Sequence, residues 1–109
     1  MSRAYTTEEV RDQFMEHVRR LAAYWANLPD IDSATGRPLT VRGRCEGVAF
    51  SILNVIDGTS MALPSFDLVA KPHEDDKEFH IENEENWIEP DTVINGDCLL
   101  HEMFYKRDK

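Results

Sequence analysis

The chain has 109 residues, a hydrophobic share of 41% and a formal net charge of −9 at pH 7. This length predicts one domain, residues 1–109, with enough apolar material for a core that needs no metal or disulfide support. The acidic balance argues against direct nucleic-acid binding and against docking on an anionic membrane, because both depend on clustered lysine and arginine. The sequence has no apolar run of membrane-spanning length and no apolar signal at its start, so we expect a cytoplasmic protein.

The first predicted helix begins at Thr6 or Thr7 and ends before Pro29. Thr6 and Glu9 match a capping box, in which the hydroxyl and the carboxylate each accept a hydrogen bond from a backbone N–H. Apolar residues then recur every three or four positions: Val10, Phe14, Val18, Leu21, Trp25 and Leu28. This stripe predicts a helix that packs on a core, and a helix face of this length could also build a homodimer.

The second predicted helix runs from Thr40, as its N-cap, to Gly58, which can take the left-handed conformation that ends a helix. The same stretch is rich in β-branched residues, so a buried strand is the alternative. One face carries four residues that mark a candidate groove: Gly43, Gly47, Phe50 and Asn54. A glycine inside a helix costs about 1 kcal/mol relative to alanine, which predicts a close neighbour on this face. We favour close packing by another segment over a ligand groove.

Beyond Gly58 the pattern changes from the helical period to alternation. Residues 65–70 and 79–82 are predicted strands, joined by KPHEDDK into a hairpin. A short helix is predicted after Asp97, and a second hairpin around the turn dipeptide at residues 95–96 is the alternative. The expected fold is therefore α+β: two long antiparallel helices, a small β-hairpin or short sheet, and a short C-terminal helix.

Acidic residues concentrate in residues 73–91, which contain nine of them and a single lysine. An exposed surface of this charge favours a basic protein partner. The residues expected to meet such a partner are Glu74, Asp75, Asp76, Glu84, Glu85, Trp87 and Glu89. The alternative is that the acids fold back on arginines of the two long helices and are neutralised within the chain. These arginines are Arg11, Arg19, Arg20, Arg42 and Arg44.

Three of the four histidines, His73, His80 and His101, lie in the same half of the chain. With nearby carboxylates they could bind zinc, manganese or iron, so a metal-binding protein or a metal-dependent enzyme is the alternative function. Cys98 also has the spacing to place a thiol near the imidazole of His101 on a helix. The sequence has no glycine-rich phosphate loop, nucleophile elbow or C-x-x-C motif, which favours a non-enzymatic role, and it identifies no cofactor.

Three segments of the sequence, RCEGVAFSILNVIDG, LPSFDLVAKPHEDDKEFH and ENWIEP, resemble a small family of bacterial or phage proteins that has no assigned function. The resemblance covers roughly the last two-thirds of the chain. Because no activity is attached to that family, the resemblance implies no catalytic residue, cofactor or partner.

Overall fold

The computed structural model describes residues 2–106. This part of the chain contains four helices, joined by loops. These are α1 (Thr7–Ala26), α2 (Val41–Ile56), α3 (Asp76–Glu82) and α4 (Leu100–Met103). Over the same residues the β-structure consists of two isolated antiparallel bridges, Ile31 with Pro38 and Val69 with Val93. The expected α+β fold with a β-hairpin is therefore wrong, because the described chain is mostly helical and has no sheet. None of its helices combines the length and the apolar character needed to cross a bilayer.

Both long helices begin at the caps that the sequence predicts. The Thr6 hydroxyl accepts a hydrogen bond from the Glu9 N–H at 3.1 Å, and the Glu9 carboxylate accepts one from the Thr6 N–H at 2.9 Å. Arg3 lies 2.8 Å from the same carboxylate, and its hydrogen bond, followed by that of the Thr6 N–H, lowers the pKa of Glu9 to about 2. Thr40 accepts from the N–H of Gly43 at 2.9 Å. The predicted capping box and N-cap are confirmed.

Helices α1 and α2 form an antiparallel hairpin in which Gly47 lies against the ring of Trp25. The indole N–H of Trp25 donates to the Ser51 hydroxyl at 3.0 Å. Arg44, on α2, donates to the carbonyl oxygens of Trp25 at 2.7 Å and Ala26 at 3.4 Å. These carbonyls lie at the C-terminal end of α1, where the helix leaves acceptors unpaired and carries a partial negative charge. One arginine of α2 therefore caps the end of α1.

The predicted strand at residues 65–70 is extended, but its partner differs from the expected one. It lies beside residues 91–95: the Ala70 N–H donates to the Thr92 carbonyl at 2.8 Å, and the Ile94 N–H to the Leu68 carbonyl at 3.0 Å. Residues 79–82, the other predicted strand, belong to α3. An alternation of only four residues also fits one helical turn. Acids at the start of α3, Asp76 and Glu78, stabilise that turn through the helix dipole.

The short C-terminal helix is present as α4, and it packs on α2. The ring centroid of Phe50 lies 5.3 Å from that of Tyr105 and 6.3 Å from that of Phe104. The protein buries few apolar side chains. Within residues 2–106 the buried ones are Val55, Ile56 and Leu63. The core is therefore a thin layer around the C-terminal half of α2.

We predict that Gly47→Ala destabilises the protein by about 1–3 kcal/mol, although alanine is the better helix former. A Cβ at this position would lie 2.5 Å from the Trp25 ring, so the indole would have to move away from Ser51. Urea unfolding monitored by circular dichroism measures the change in free energy.

The matched control is Gly43→Ala, one turn earlier on the same helix. Its Cβ would lie 3.2 Å from the Thr40 hydroxyl oxygen, a smaller overlap, so we expect a much smaller loss. Equal losses at the two positions would show that the Trp25 contact is not what requires Gly47.

Candidate functional site

Residues 73–91, called the acidic arm below, stand apart from the helical hairpin. The arm contains α3, and over the described residues no Cα atom of α3 lies within 8 Å of a Cα atom of another helix. The arm holds nine acidic residues and one lysine. The fold thus places the most strongly charged segment of the chain where solvent surrounds it.

Local hydrogen bonds shape the arm on both sides of α3. The Asp76 carboxylate accepts a hydrogen bond from the backbone N–H of His73 at 3.1 Å, which stabilises the turn that leads into the helix. At the other end the Asn83 side-chain amide donates to the Phe79 carbonyl at 2.7 Å. Glu84 follows with a φ of +56°, and this left-handed conformation just after the C-cap Asn83 prevents the helix from continuing. The shape of the arm therefore follows from short-range polar contacts.

A second set of contacts ties the end of the arm to α3. The indole N–H of Trp87 donates to the Glu89 carboxylate at 2.7 Å, and the Lys77 ammonium lies 3.6 Å from the same carboxylate. The Lys77 ammonium is also 5.2 Å from the centroid of the Trp87 ring, within range of a cation–π interaction. The hydrogen bond from Trp87 and then the charge of Lys77 lower the pKa of Glu89. Two of the predicted partner-binding residues, Trp87 and Glu89, are thus brought together.

The other predicted partner-binding residues occupy two places along the arm. Glu74, Asp75 and Asp76 lie at the start of α3, and Glu84 and Glu85 follow its end. The Glu85 carboxylate is 2.9 Å from Nδ1 of His80.

Large apolar side chains lie between these acids and are exposed. Phe79 is 59% exposed, Ile81 50% and Ile88 65%. Trp87 is the one apolar residue in the predicted partner-binding set. The arm therefore presents aromatic and aliphatic side chains interleaved with carboxylates.

Four of the five arginines that could neutralise the arm form ion pairs within the described residues, and the partners of all four lie outside the arm. Within residues 2–106 the ion pairs of these arginines are local: Arg19 and Arg20 with Glu16, Arg42 with Glu46, and Arg44 with Asp30. The arm's own cation, Lys77, pairs with Glu89. Among the described residues, the geometry does not show the arm folded back on the helix arginines, and most of its carboxylates face solvent.

The three histidines of the predicted metal site have different carboxylate neighbours. Nδ1 of His73 lies 3.7 Å from Asp75, Nδ1 of His80 lies 2.9 Å from Glu85, and Nδ1 of His101 lies 2.7 Å from Asp57. The described residues contain no group of three or more histidine, cysteine or acidic side chains arranged to hold a metal ion. The structure does not bring His73, His80 and His101 into one site.

Among the ion pairs formed within residues 2–106, the one between Asp57 and His101 has the least exposed side chains. The Asp57 side chain is 1% exposed and accepts three hydrogen bonds: from the Leu100 N–H at 3.0 Å, the His101 N–H at 2.8 Å and the His101 imidazole at 2.7 Å. Burial by itself raises the pKa of Asp57, but the hydrogen bonds from His101 and Leu100 outweigh it, so the pKa lies below its ordinary value. Asp57 at the end of α2 thus caps the start of α4.

This capping residue was missed by sequence reasoning, which placed Asp97 at the start of the last helix. The two ends of the Asp57 to Leu100 hydrogen bond are 43 residues apart, and no local pattern connects them. The thiol of Cys98 donates to the Ile94 carbonyl at 3.7 Å, whereas the imidazole Nδ1 of His101 contacts Asp57. The geometry therefore gives His101 a structural contact and shows no thiol–imidazole pair.

The residues of the candidate groove on α2 contact different neighbours. Gly47 lies against the ring of Trp25 on α1, and Phe50 packs on the rings of His101 in α4 and of Phe104 just after it. The Asn54 amide donates to the Phe50 carbonyl at 3.2 Å, and Gly43 lies beside Thr40 and Leu39. The close neighbour of the helical glycine Gly47 is a packed side chain of the hairpin.

Comparison of the chain with protein-family models, with curated proteins and with solved structures gave no match. The resemblance to a bacterial or phage family stays a prediction.

We predict that Asp57→Asn destabilises the protein by about 2 kcal/mol. Both hydrogen bonds from His101 reach Oδ2 of Asp57, and the Leu100 N–H reaches Oδ1. Asparagine with its oxygen at the Oδ2 position keeps the two bonds from His101 but turns its N–H₂ group toward the Leu100 N–H, so one buried hydrogen bond loses its acceptor and the other two lose the negative charge. Urea unfolding at pH 7 measures the loss. The control is Asp67→Asn, an exposed carboxylate of the same part of the fold, for which we expect a change within about 0.5 kcal/mol. Equal effects would contradict the capping role.

The lowered pKa of Asp57 also predicts a pH dependence. A carboxylate whose folded pKa lies below its unfolded value of about 3.9 stabilises the fold above that value, and the stabilisation is lost as pH falls through the folded pKa. We therefore expect the free energy of unfolding to decrease between about pH 5 and about pH 2, with a smaller decrease in Asp57→Asn. Parallel curves for the two proteins would show that Asp57 does not contribute to the acid sensitivity.

Proposed function

We propose that this chain is a cytoplasmic, non-enzymatic binding protein that meets a basic protein partner through its acidic arm. The observation that carries the proposal is the composition of the arm's exposed surface. Carboxylates that face solvent alternate there with large apolar side chains, among them Phe79, Ile81 and Ile88.

The two kinds of side chain supply different parts of a binding surface. Carboxylates attract a basic partner over a distance of about a Debye length, which raises the association rate and excludes acidic proteins. Exposed aromatic and aliphatic side chains supply the apolar area that a partner removes from water, and aromatic residues are enriched where interfaces are most buried. The expected partner surface is therefore an apolar patch with lysine and arginine around it.

The position of the arm supports the same function. Because α3 lies apart from the other helices, a partner could cover the arm without displacing a helix of the hairpin. The arm's internal contacts, from Lys77 through Trp87 to Glu89, hold its shape before a partner arrives. A preshaped segment loses less conformational entropy on binding than a disordered one of the same length.

We predict that reversing three exposed acids of the arm, Glu74→Lys, Glu82→Lys and Glu84→Lys together, weakens partner binding at least tenfold at low salt. The structure shows no cation within ion-pair distance of these three carboxylates among residues 2–106, so their loss breaks no recorded ion pair. The measurement is affinity capture of a partner with the wild-type chain, followed by titration of the recovered partner at about 50 mM and about 300 mM salt.

The matched control carries the same change of charge outside the arm, as Glu8→Lys, Asp12→Lys and Asp67→Lys. These exposed acids lie in the part of the chain that forms the hairpin and its following segment. Circular dichroism of both triple variants checks that the helices persist. A recovered partner that is itself acidic, or that binds the arm variant as tightly as the control, would contradict the proposed function.

A further inference from the structure

The folded chain leaves far more surface in water than a compact protein of its size. Its accessible surface is 9050 Å², whereas a compact monomer of this mass exposes about 6,200 Å². Its radius of gyration is 18.3 Å, against about 13 Å for a compact domain of this length. Each chain therefore exposes roughly 2,800 Å² beyond the expected surface.

A large apolar groove contributes to this exposed surface. It lies between the first half of α1, the end of α2 and the segment after it, and its volume is about 530 Å³. Its apolar lining consists of Tyr5, Val10, Phe14, Ile56, Phe66 and Leu68. Phe14 and Phe66 meet edge to face in it, with ring centroids 5.6 Å apart.

The groove opens on a hairpin that lacks a second layer. Helices α1 and α2 contact each other along a single interface. Residues of the apolar stripe of α1, such as Val10, Phe14 and Val18, are only half-buried there. Helices with an apolar stripe reach a dry core when another layer covers them, as in four-helix bundles. The groove is therefore an incomplete core.

We infer that a second copy of this chain covers the groove, hairpin against hairpin, in a two-fold symmetric dimer. The surplus surface of each chain, to which the acidic arm also contributes, is larger than the roughly 800 Å² per partner that a standard interface buries, so the chain has enough exposed surface for such an interface. A two-fold interface requires a surface that complements itself. Here an exposed aromatic side chain, Tyr5, stands at the edge of an apolar groove large enough to receive one.

The distribution of charge fits two copies meeting at this surface. Residues 1–70, which contain the groove, carry seven arginines and nine acids, so this part of the chain is nearly neutral. The strong negative charge lies in the acidic arm, on a different segment. No residue of the arm lines the groove, so two hairpins can pack together there while the strongest electrostatic repulsion falls on the arms.

Sedimentation equilibrium of the untagged chain, from about 1 to about 100 μM, tests the dimer directly. We expect twice the chain mass of 12.6 kDa over the upper part of this range. Tyr5→Glu and, separately, Leu68→Glu are expected to raise the dimer dissociation constant at least tenfold, because each places a charge in an apolar interface. Tyr5 precedes α1 and is 67% exposed, so its replacement leaves the fold of the monomer in place.

The control is Met61→Glu, at a fully exposed apolar residue outside the groove, which is expected to dimerise like the wild type. A wild-type chain that stays monomeric at every concentration would overturn the inference. A dimer that Tyr5→Glu weakens no more than Met61→Glu does would overturn it as well.

Salt separates this inference from the proposed function. Apolar packing between hairpins should hold or strengthen between about 50 and about 300 mM salt, whereas binding of a basic partner to the arm should weaken. The triple reversal in the arm is expected to leave the dimer dissociation constant within about threefold of the wild type. A dimer that dissociates with salt and with the arm variant would place the interface at the arm and overturn the groove interface.

Discussion

The contact of Trp25 with Gly47 is the constraint on which the rest of the structure depends. The indole lies so close to α2 that a Cβ at position 47 would overlap its ring, and its N–H reaches Ser51 one turn further on. This contact fixes the spacing and the rotation of the two long helices. Arg44 can then reach the carbonyls at the end of α1, and the ends of α1 and α2 that bound the apolar groove face each other.

From the hairpin outward, the fold is held by a few polar contacts. Asp57 ends α2 and accepts three hydrogen bonds at the start of α4, so one buried carboxylate fixes where the chain returns after the acidic arm. Backbone hydrogen bonds between residues 68–70 and 91–94 hold the two ends of the arm together. A long acidic segment can thus extend from the body while both of its ends stay anchored.

The parts of the fold that the sequence predicts correctly have local causes. Thr6, with Glu9, and Thr40 act within a few residues, and each caps its helix as predicted; the apolar stripe of α1 forms the predicted helix, but its residues are only half-buried. The parts it mispredicts depend on distant partners: residues 65–70 pair with residues 91–95, and Asp57 caps a helix 43 residues away. Likewise the acidic arm can be located from composition, but the exposure of Phe79 and Ile88 becomes known only when the path of the chain is known.

The charged surface and the apolar groove lie on different segments of the chain, so the two proposed interactions can form at the same time. An apolar groove on the acidic arm would have to desolvate carboxylates in order to close, which is costly without cations to pair with them. With the groove on the nearly neutral hairpin, association of two copies leaves the carboxylates hydrated. A dimer built in this way carries two acidic arms, so a partner with two basic sites at a matching distance would bind both, and the second contact would form at a high effective concentration. Self-association at the hairpin would then strengthen the binding of a basic partner without adding a contact to either arm.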